Sequence, residues 1–204
     1  MAAKADIKKI QAAVVAAEGK TSAEFVVALE PQSGHYRDLD LWAGIAAAGF
    51  MLLFTIFSPL WFHTLLLPVY LMAVFGVVWF ASGRLQGIRR FLASEERFQS
   101  QTREAAELLF MRKGISQTRG RTGVLVMVSQ LERRIEVVAD SGVVRAVDEE
   151  SWNTFLAEVQ EDFEETDRAA TAIRVVERLG EFLKEPLPVA PDDEDELRNM
   201  PCLH

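Results

Sequence analysis

Three carboxylates carry whatever chemistry this sequence holds. Asp140 follows an apolar run and precedes Ser141-Gly142, and the ends of strands in α/β sheets are where sites usually form. Glu24 and Glu132 can join it as hard oxygen ligands for Ca2+ or Mg2+ if the fold brings the three together. Each has a plainer reading. Asp140 is also a turn former whose side chain holds its own backbone, and Glu132, Arg133 and Arg134 read as exposed turn charges. Arg119 and Arg121 can meet a phosphate or lipid headgroup, or simply stay solvated on a turn. Other reactive constellations are missing. There is no Ser-His-Asp set and no zinc spacing, and Gly120 and Gly123 stand too close for a phosphate loop, marking a tight turn instead. His35, His63 and His204 are too dispersed to be expected to converge. Cys202 is the single cysteine, which excludes an intrachain disulfide and a thiolate metal cluster.

Among the elements that must hold these residues, the strongest signal comes from an apolar segment. Residues 41–82 contain no Asp, Glu, Lys or Arg. A membrane helix needs about 20 apolar residues, with about 17 as a lower bound. Residues 41–57 supply 17 and residues 60–82 supply 23, separated by Ser58-Pro59, where proline disfavours helix in the residue before it. The segment therefore reads as a transmembrane helical hairpin. Trp42 and Trp79 fall near one membrane face and Trp61 near the other, where amphipathic rings settle. Gly44 and Ala48 form a small-residue face that lets the second helix approach, and Pro68 is expected to kink that second span.

Charge gives the orientation. Residues 84–134 carry 11 basic and 5 acidic side chains, whereas residues 135–204 carry 6 and 19. Arg84, Arg89, Arg90 and Arg97 follow the second span and Arg37 precedes the first, with no basic residue in the turn between. The positive-inside rule then puts both chain ends in the cytoplasm and the hairpin in the cytoplasmic (inner) membrane, as a multi-pass protein. The apolar segment begins forty residues in and lacks a small-residue cleavage site, so a signal peptide is not expected. The acidic overall balance argues against a nucleic-acid partner.

The remainder alternates helical and extended patterns. Ile7, Ile10, Val14 and Ala17 mark a first helix, and residues 23–29 a strand. After the hairpin come a charged helix over about 91–113, with Phe98, Ala105, Leu108 and Leu109 inward, then strands at 124–128 and 134–139 that pair as a hairpin. Asp148 and Thr166 are placed to cap two closing helices, and the acidic run 192–196 reads as a solvated tail. The domain plan is 1–40 and 83–185 as two parts of one α/β fold, 41–82 as the inserted membrane hairpin, and 186–204 as an acidic tail.

Thr118-Arg119-Gly120-Arg121-Thr122-Gly123-Val124-Leu125, then Ser129, Leu131 to Arg134, Glu136-Val137, Ala139-Asp140 and Gly142, resemble the central signature of the TPM domain. That family is named for a thylakoid lumen protein, a photosystem repair factor and a receptor modulator. Thr21 to Glu24 with Tyr36 and Asp38 resemble its first strand region, and the hairpin after the first strand is similar to a bacterial branch. Asp195 and Arg198 depart from the closing motif, and Glu165 to Arg168 replace a usual glycine. The resemblance implies an α/β/α sandwich. It also implies either an accessory protein that docks on, helps assemble or maintains a larger membrane complex, with no cofactor required, or a phosphatase assisted by Ca2+ or Mg2+ at carboxylates near Asp140. The sparse reactive inventory leans toward the former, with a lipid bilayer and a membrane protein complex as partners.

Overall fold

The computed structural model describes residues 4–59, 63–164, 167–189 and 202–203. The chain divides into two compact units, one from residues 34–98 and the other from the segments on either side of them.

The second of these is built on a small sheet. Its strands are β1 (Glu24–Glu30), β2 (Gly123–Ser129) and β3 (Arg134–Ala139), with the two-residue β4 (Cys202–Leu203) beside β1, in the order β3-β2-β1-β4. β2 and β3 are joined by a short turn and pair antiparallel. β1 and β2 run parallel, Glu24 opposite Gly123 and Glu30 opposite Ser129, which demands a long connection between them. All seven residues of β2 are buried, as expected of a central strand covered on both faces.

Helices supply that cover, so the domain is a layered α/β fold that is mostly helical. Phe25, Val27, Leu29, Val124, Val126 and Val128 point to one face. There they meet α1 (Lys4–Glu18) and two closing helices, α7 (Glu149–Glu161) and α8 (Arg168–Phe182). Val26, Ala28, Leu125 and Met127 point to the other face, against Ala106 and Phe110 of α5 (Glu95–Arg112) and Ile115. The period-2 alternation of the strands thus feeds two cores. α1 and α8 approach so closely that a Cβ on Gly180 would sit 2.8 Å from that of Ala17.

The other unit holds α2 (Arg37–Phe57), α3 (Leu67–Arg84) and α4 (Gln86–Leu92). α2 and α3 pack against each other where Gly44 leaves room for the Phe75 ring; a Cβ there would lie 2.8 Å from it. Both helices are long and apolar enough to cross a bilayer, and few of their residues are buried.

Several expectations change. Pro68 stands in the first turn of α3, where its missing N–H costs no hydrogen bond, so it starts the helix instead of kinking it. The charged helix begins at Glu95, because Ala93 is extended and separates α4 as its own element. On α5 the buried side chains include Thr102, Ala106 and Phe110, an i, i+4 stripe, and Leu108 is about half exposed instead of inward. A six-residue helix, α6 (Ser141–Ala146), replaces the simple turn after Asp140. Asp148 caps α7 as expected, whereas Asp167 caps α8 by accepting from the Ala170 N–H at 2.9 Å. Thr166, Trp61 and the acidic run 192–196 lie outside the described residues.

Candidate functional site

Asp140 leaves β3 at the point where its last residue, Ala139, pairs with Val124. Its N–H donates to the Gly123 carbonyl at 2.9 Å, and its Oδ1 accepts the Ser141 N–H at 2.6 Å, capping α6. Oδ2 is buried with no hydrogen-bond partner among the described residues. Arg121, in the left-handed region at φ 55°, brings Nη1 to 3.9 Å from Oδ1 while most of its side chain stays exposed. The loop bearing Arg121 lies directly on α6. Gly142 donates to the Arg121 carbonyl at 2.8 Å, and a Cβ on Gly142 would come within 2.3 Å of the Gly120 oxygen. That approach explains the glycine in the signature.

Glu24 begins β1 opposite Gly123 and donates its N–H to the Thr122 carbonyl at 3.2 Å. Glu24 and Asp140 therefore flank the start of β2, one on each side, and both are buried. A buried carboxylate oxygen without a partner is costly, and a cation would relieve it. Calcium prefers six to eight oxygens. Among the described residues no group of three His, Cys, Asp or Glu is placed to hold a metal, so such an ion would also draw on backbone carbonyls and water.

Glu132 is elsewhere. It lies in the β2–β3 turn at the other end of β2, about 20 Å away at the rise of a strand. It is also buried, not an exposed turn charge. Oε1 accepts the Ser33 N–H at 2.9 Å, and Oε2 accepts a short bond from the Ser129 hydroxyl, which itself accepts from Ser33 Oγ at 2.7 Å. Gln130 and Leu131 donate to the carbonyls of Glu30 and Pro31. Glu132 thus fastens the segment that follows β1. Arg133, at φ 52°, makes the turn, and Arg134 sits 3.9 Å from Glu136. Arg119 is among the residues of the exposed turn before β2.

The unit of residues 34–98 contains a polar cluster that the sequence did not announce. Asp40, only 4% exposed, lies in the first turn of α2 and Ser82 near the end of α3. Arg89 of α4 donates Nε to Asp40 Oδ1 at 3.0 Å and Nη2 to Oδ2 at 2.6 Å, a two-pronged clasp. Ser82 adds a bond to Oδ1 at 3.0 Å. Three elements are tied at the base of the hairpin. Close by in sequence, Arg97 pairs with Asp38 at 2.8 Å and covers the ring of buried Tyr36, which meets Phe98 edge-on. Tyr36 and Asp38 therefore belong to the entry of α2. Of the other residues placed at a membrane face, Trp42 and Trp79 are exposed on the hairpin, and Arg84 lies exposed with its guanidinium 4.8 Å above Phe80. Arg90 is half-buried.

Residues 86–182, from α4 through α8, match the model of the TPM domain, and the chain carries that domain over those residues. The central signature at 118–142 falls inside the match. Among solved structures, the chain is similar to the BA42 protein from the psychrophilic bacterium Bizionia argentinensis, determined by NMR. The two share 18% identity with a TM-score of 0.59, covering 99% of this chain and 94% of that one. At that identity the likeness speaks to fold alone. No curated protein matches the sequence.

Proposed function

We propose that the chain is a membrane-anchored TPM-domain accessory protein. α2 and α3 cross the cytoplasmic membrane as a hairpin with both chain ends on the cytoplasmic side, and the TPM domain docks on, helps assemble or maintains a larger membrane protein complex. One observation carries the anchor: two long apolar helices pack together and still turn Trp42, Phe50, Leu53, Ile56, Phe57, Met72 and Phe80 outward. In water that surface is a large exposed apolar patch; in lipid it is the expected exterior. At about 1.5 Å per residue the 21 residues of α2 match the bilayer core, and the 18 of α3 nearly do. The arginines on the two flanks support the orientation.

The docking role is supported by charge. The exposed side of α7 presents Glu149, Glu150, Glu158 and Glu161, a surface for a basic partner, and the role needs no cofactor. Affinity purification from gently solubilised native membranes tests it. A companion at fixed stoichiometry, weakened by Glu149→Lys with Glu150→Lys, is expected; recovery only as an isolated monomer would contradict it.

The second reading is a phosphohydrolase assisted by Ca2+ or Mg2+, and the observation that favours it is the unpartnered Oδ2 of Asp140 beside Arg121 and at the same sheet end as Glu24. Turnover of a generic phosphate ester by the purified protein, lost in Asp140→Asn, would support it. Activity that survives the substitution would remove Asp140 from the role.

A further inference from the structure

We propose that the carboxyl ends of β1 and β2 hold a small zwitterion, an α-amino acid with an aliphatic side chain, whose ammonium group meets Glu30 and Ser33 and whose carboxylate meets Arg112. β1 and β2 run parallel and end together, with Glu30 opposite Ser129. Ligands of open α/β sheets settle outside the carboxyl ends of such strands. Asp140 and Glu24 mark the other end of this pair, so the site is distinct from theirs. A cavity of about 220 Å³ opens here between the strands and α5, and Glu30, Ser33 and Arg112 are among its lining. Pockets for drug-sized ligands run to about 300–1,000 Å³, so this smaller one suits a molecule of amino-acid size. All of its lining residues belong to the unit outside residues 34–98.

The chemistry of the lining sets the ligand. Ser129 has one proton to give, and the Glu132 carboxylate takes it. The Ser33 hydroxyl therefore donates to Ser129, at 2.7 Å. With that proton committed, Ser33 offers a ligand only lone pairs, which select an N–H donor, and Glu30 adds a carboxylate to the same cavity. Arg112 supplies the opposite charge. Its guanidinium is exposed and has no hydrogen-bond or ion-pair partner among the described residues, so it shares the cavity with Glu30 without pairing to it. A carboxylate is the group such a planar fork grips best. Leu108, Leu109 and Met127 also line the cavity and give an aliphatic side chain an apolar seat. A simple cation would be repelled by Arg112, and a simple anion by Glu30; a zwitterion satisfies both.

Calorimetric titration of the full chain in nanodiscs with three probes tests this. Leucine should bind saturably, one molecule per chain. N-acetylleucine lacks the ammonium group and leucinamide lacks the carboxylate, and each should bind at least about tenfold more weakly. Arg112→Gln alters an exposed side chain without a partner, so the fold is expected to survive it. The variant should bind leucine about tenfold more weakly yet leucinamide no more weakly than wild type does, because leucinamide has no carboxylate for Arg112 to grip. A general disturbance of the cavity would weaken both probes alike. The absence of saturable heat with leucine in the millimolar range overturns the inference, and so does an equal loss of leucine and leucinamide in Arg112→Gln. N-acetylleucine bound as tightly as leucine would overturn the ammonium contact assigned to Glu30 and Ser33.

Discussion

Asparagine in place of Asp40 keeps the shape of the side chain and removes the charge that Arg89 grips. The wild-type carboxylate accepts three bonds, from Arg89 Nε and Nη2 and from Ser82. Hydrogen bonds to charged groups contribute about 1.5–3 kcal/mol each, against about 1 for neutral ones. Breaking one partner of a buried pair costs about 3–5 kcal/mol. The Arg89 side chain keeps 14% exposure, so water recovers part of that loss. Asp40→Asn should therefore destabilise the full chain by about 2–3 kcal/mol, and Arg89→Gln by a similar amount. The double variant pairs two neutral amides and should lose clearly less than the sum, a coupling of about 1–2 kcal/mol. Unfolding of the chain in nanodiscs, followed by tryptophan fluorescence, reads these values. The losses relative to wild type should also change little with added salt, because a buried pair is little screened. Single variants within 0.5 kcal/mol of wild type, or a double variant equal to their sum, would refute the clasp.

Three further outcomes follow from the domain. Glu132→Ala removes the acceptor for the Ser33 N–H and the Ser129 hydroxyl, and should lower stability by about 2–4 kcal/mol, read as a shifted denaturant midpoint at unchanged slope. Gly142→Ala places a methyl 2.3 Å from the Gly120 oxygen and 2.5 Å from that of Arg121, both backbone atoms. It should cost about 2–3 kcal/mol, with wild-type-like stability contradicting the packing. Glu136 is held above its ordinary value of 4.5 by burial, with Arg134 and Arg103 opposing. A raised folded pKa means the fold favours the protonated form, so its contribution is fully present below about pH 4.5 and lost as pH rises through the folded value. Glu136→Gln should thus gain on wild type at neutral pH and lose that advantage near pH 4; a flat difference between pH 4 and 8 would exclude the effect.

The hairpin was legible because its composition answers to the solvent. Forty-two residues without Asp, Glu, Lys or Arg leave few alternatives, and the two helices lie over that stretch. The strands were legible because alternation in β1 and an unbroken apolar run in β2 mark extended segments, and both strands are buried on both faces. What local pattern could not supply was contact across long separations. Glu132 looked solvated because Ser129, Gln130 and Arg133 around it are polar; it is buried because Ser33, 99 residues away, folds over it. Asp40 and Arg89 read as ordinary span flanks, and only their meeting across 49 residues makes a cluster. The one available signal was an acid directly before the apolar run with a base a few residues after it. Leu108 failed for a different reason: with apolar residues at 105, 106, 108, 109, 110 and 111, several helical phases fit α5, and sheet packing selects the one through Ala106 and Phe110. At the sheet end the sequence suggested Asp140 and Glu24, and the parallel register of β1 on β2 sets them on either side of Gly123.

Cysteine accessibility in sealed inner-membrane vesicles and intact spheroplasts tests the anchor most directly. With Cys202 replaced by serine, single cysteines at Ser22, Ser58 and Asn153 are offered to a membrane-impermeant maleimide from each side. A crossing hairpin requires Ser58 to react only from the outer face while Ser22 and Asn153 react only from the cytoplasmic face. Reaction of all three from one face would mean that α2 and α3 do not cross.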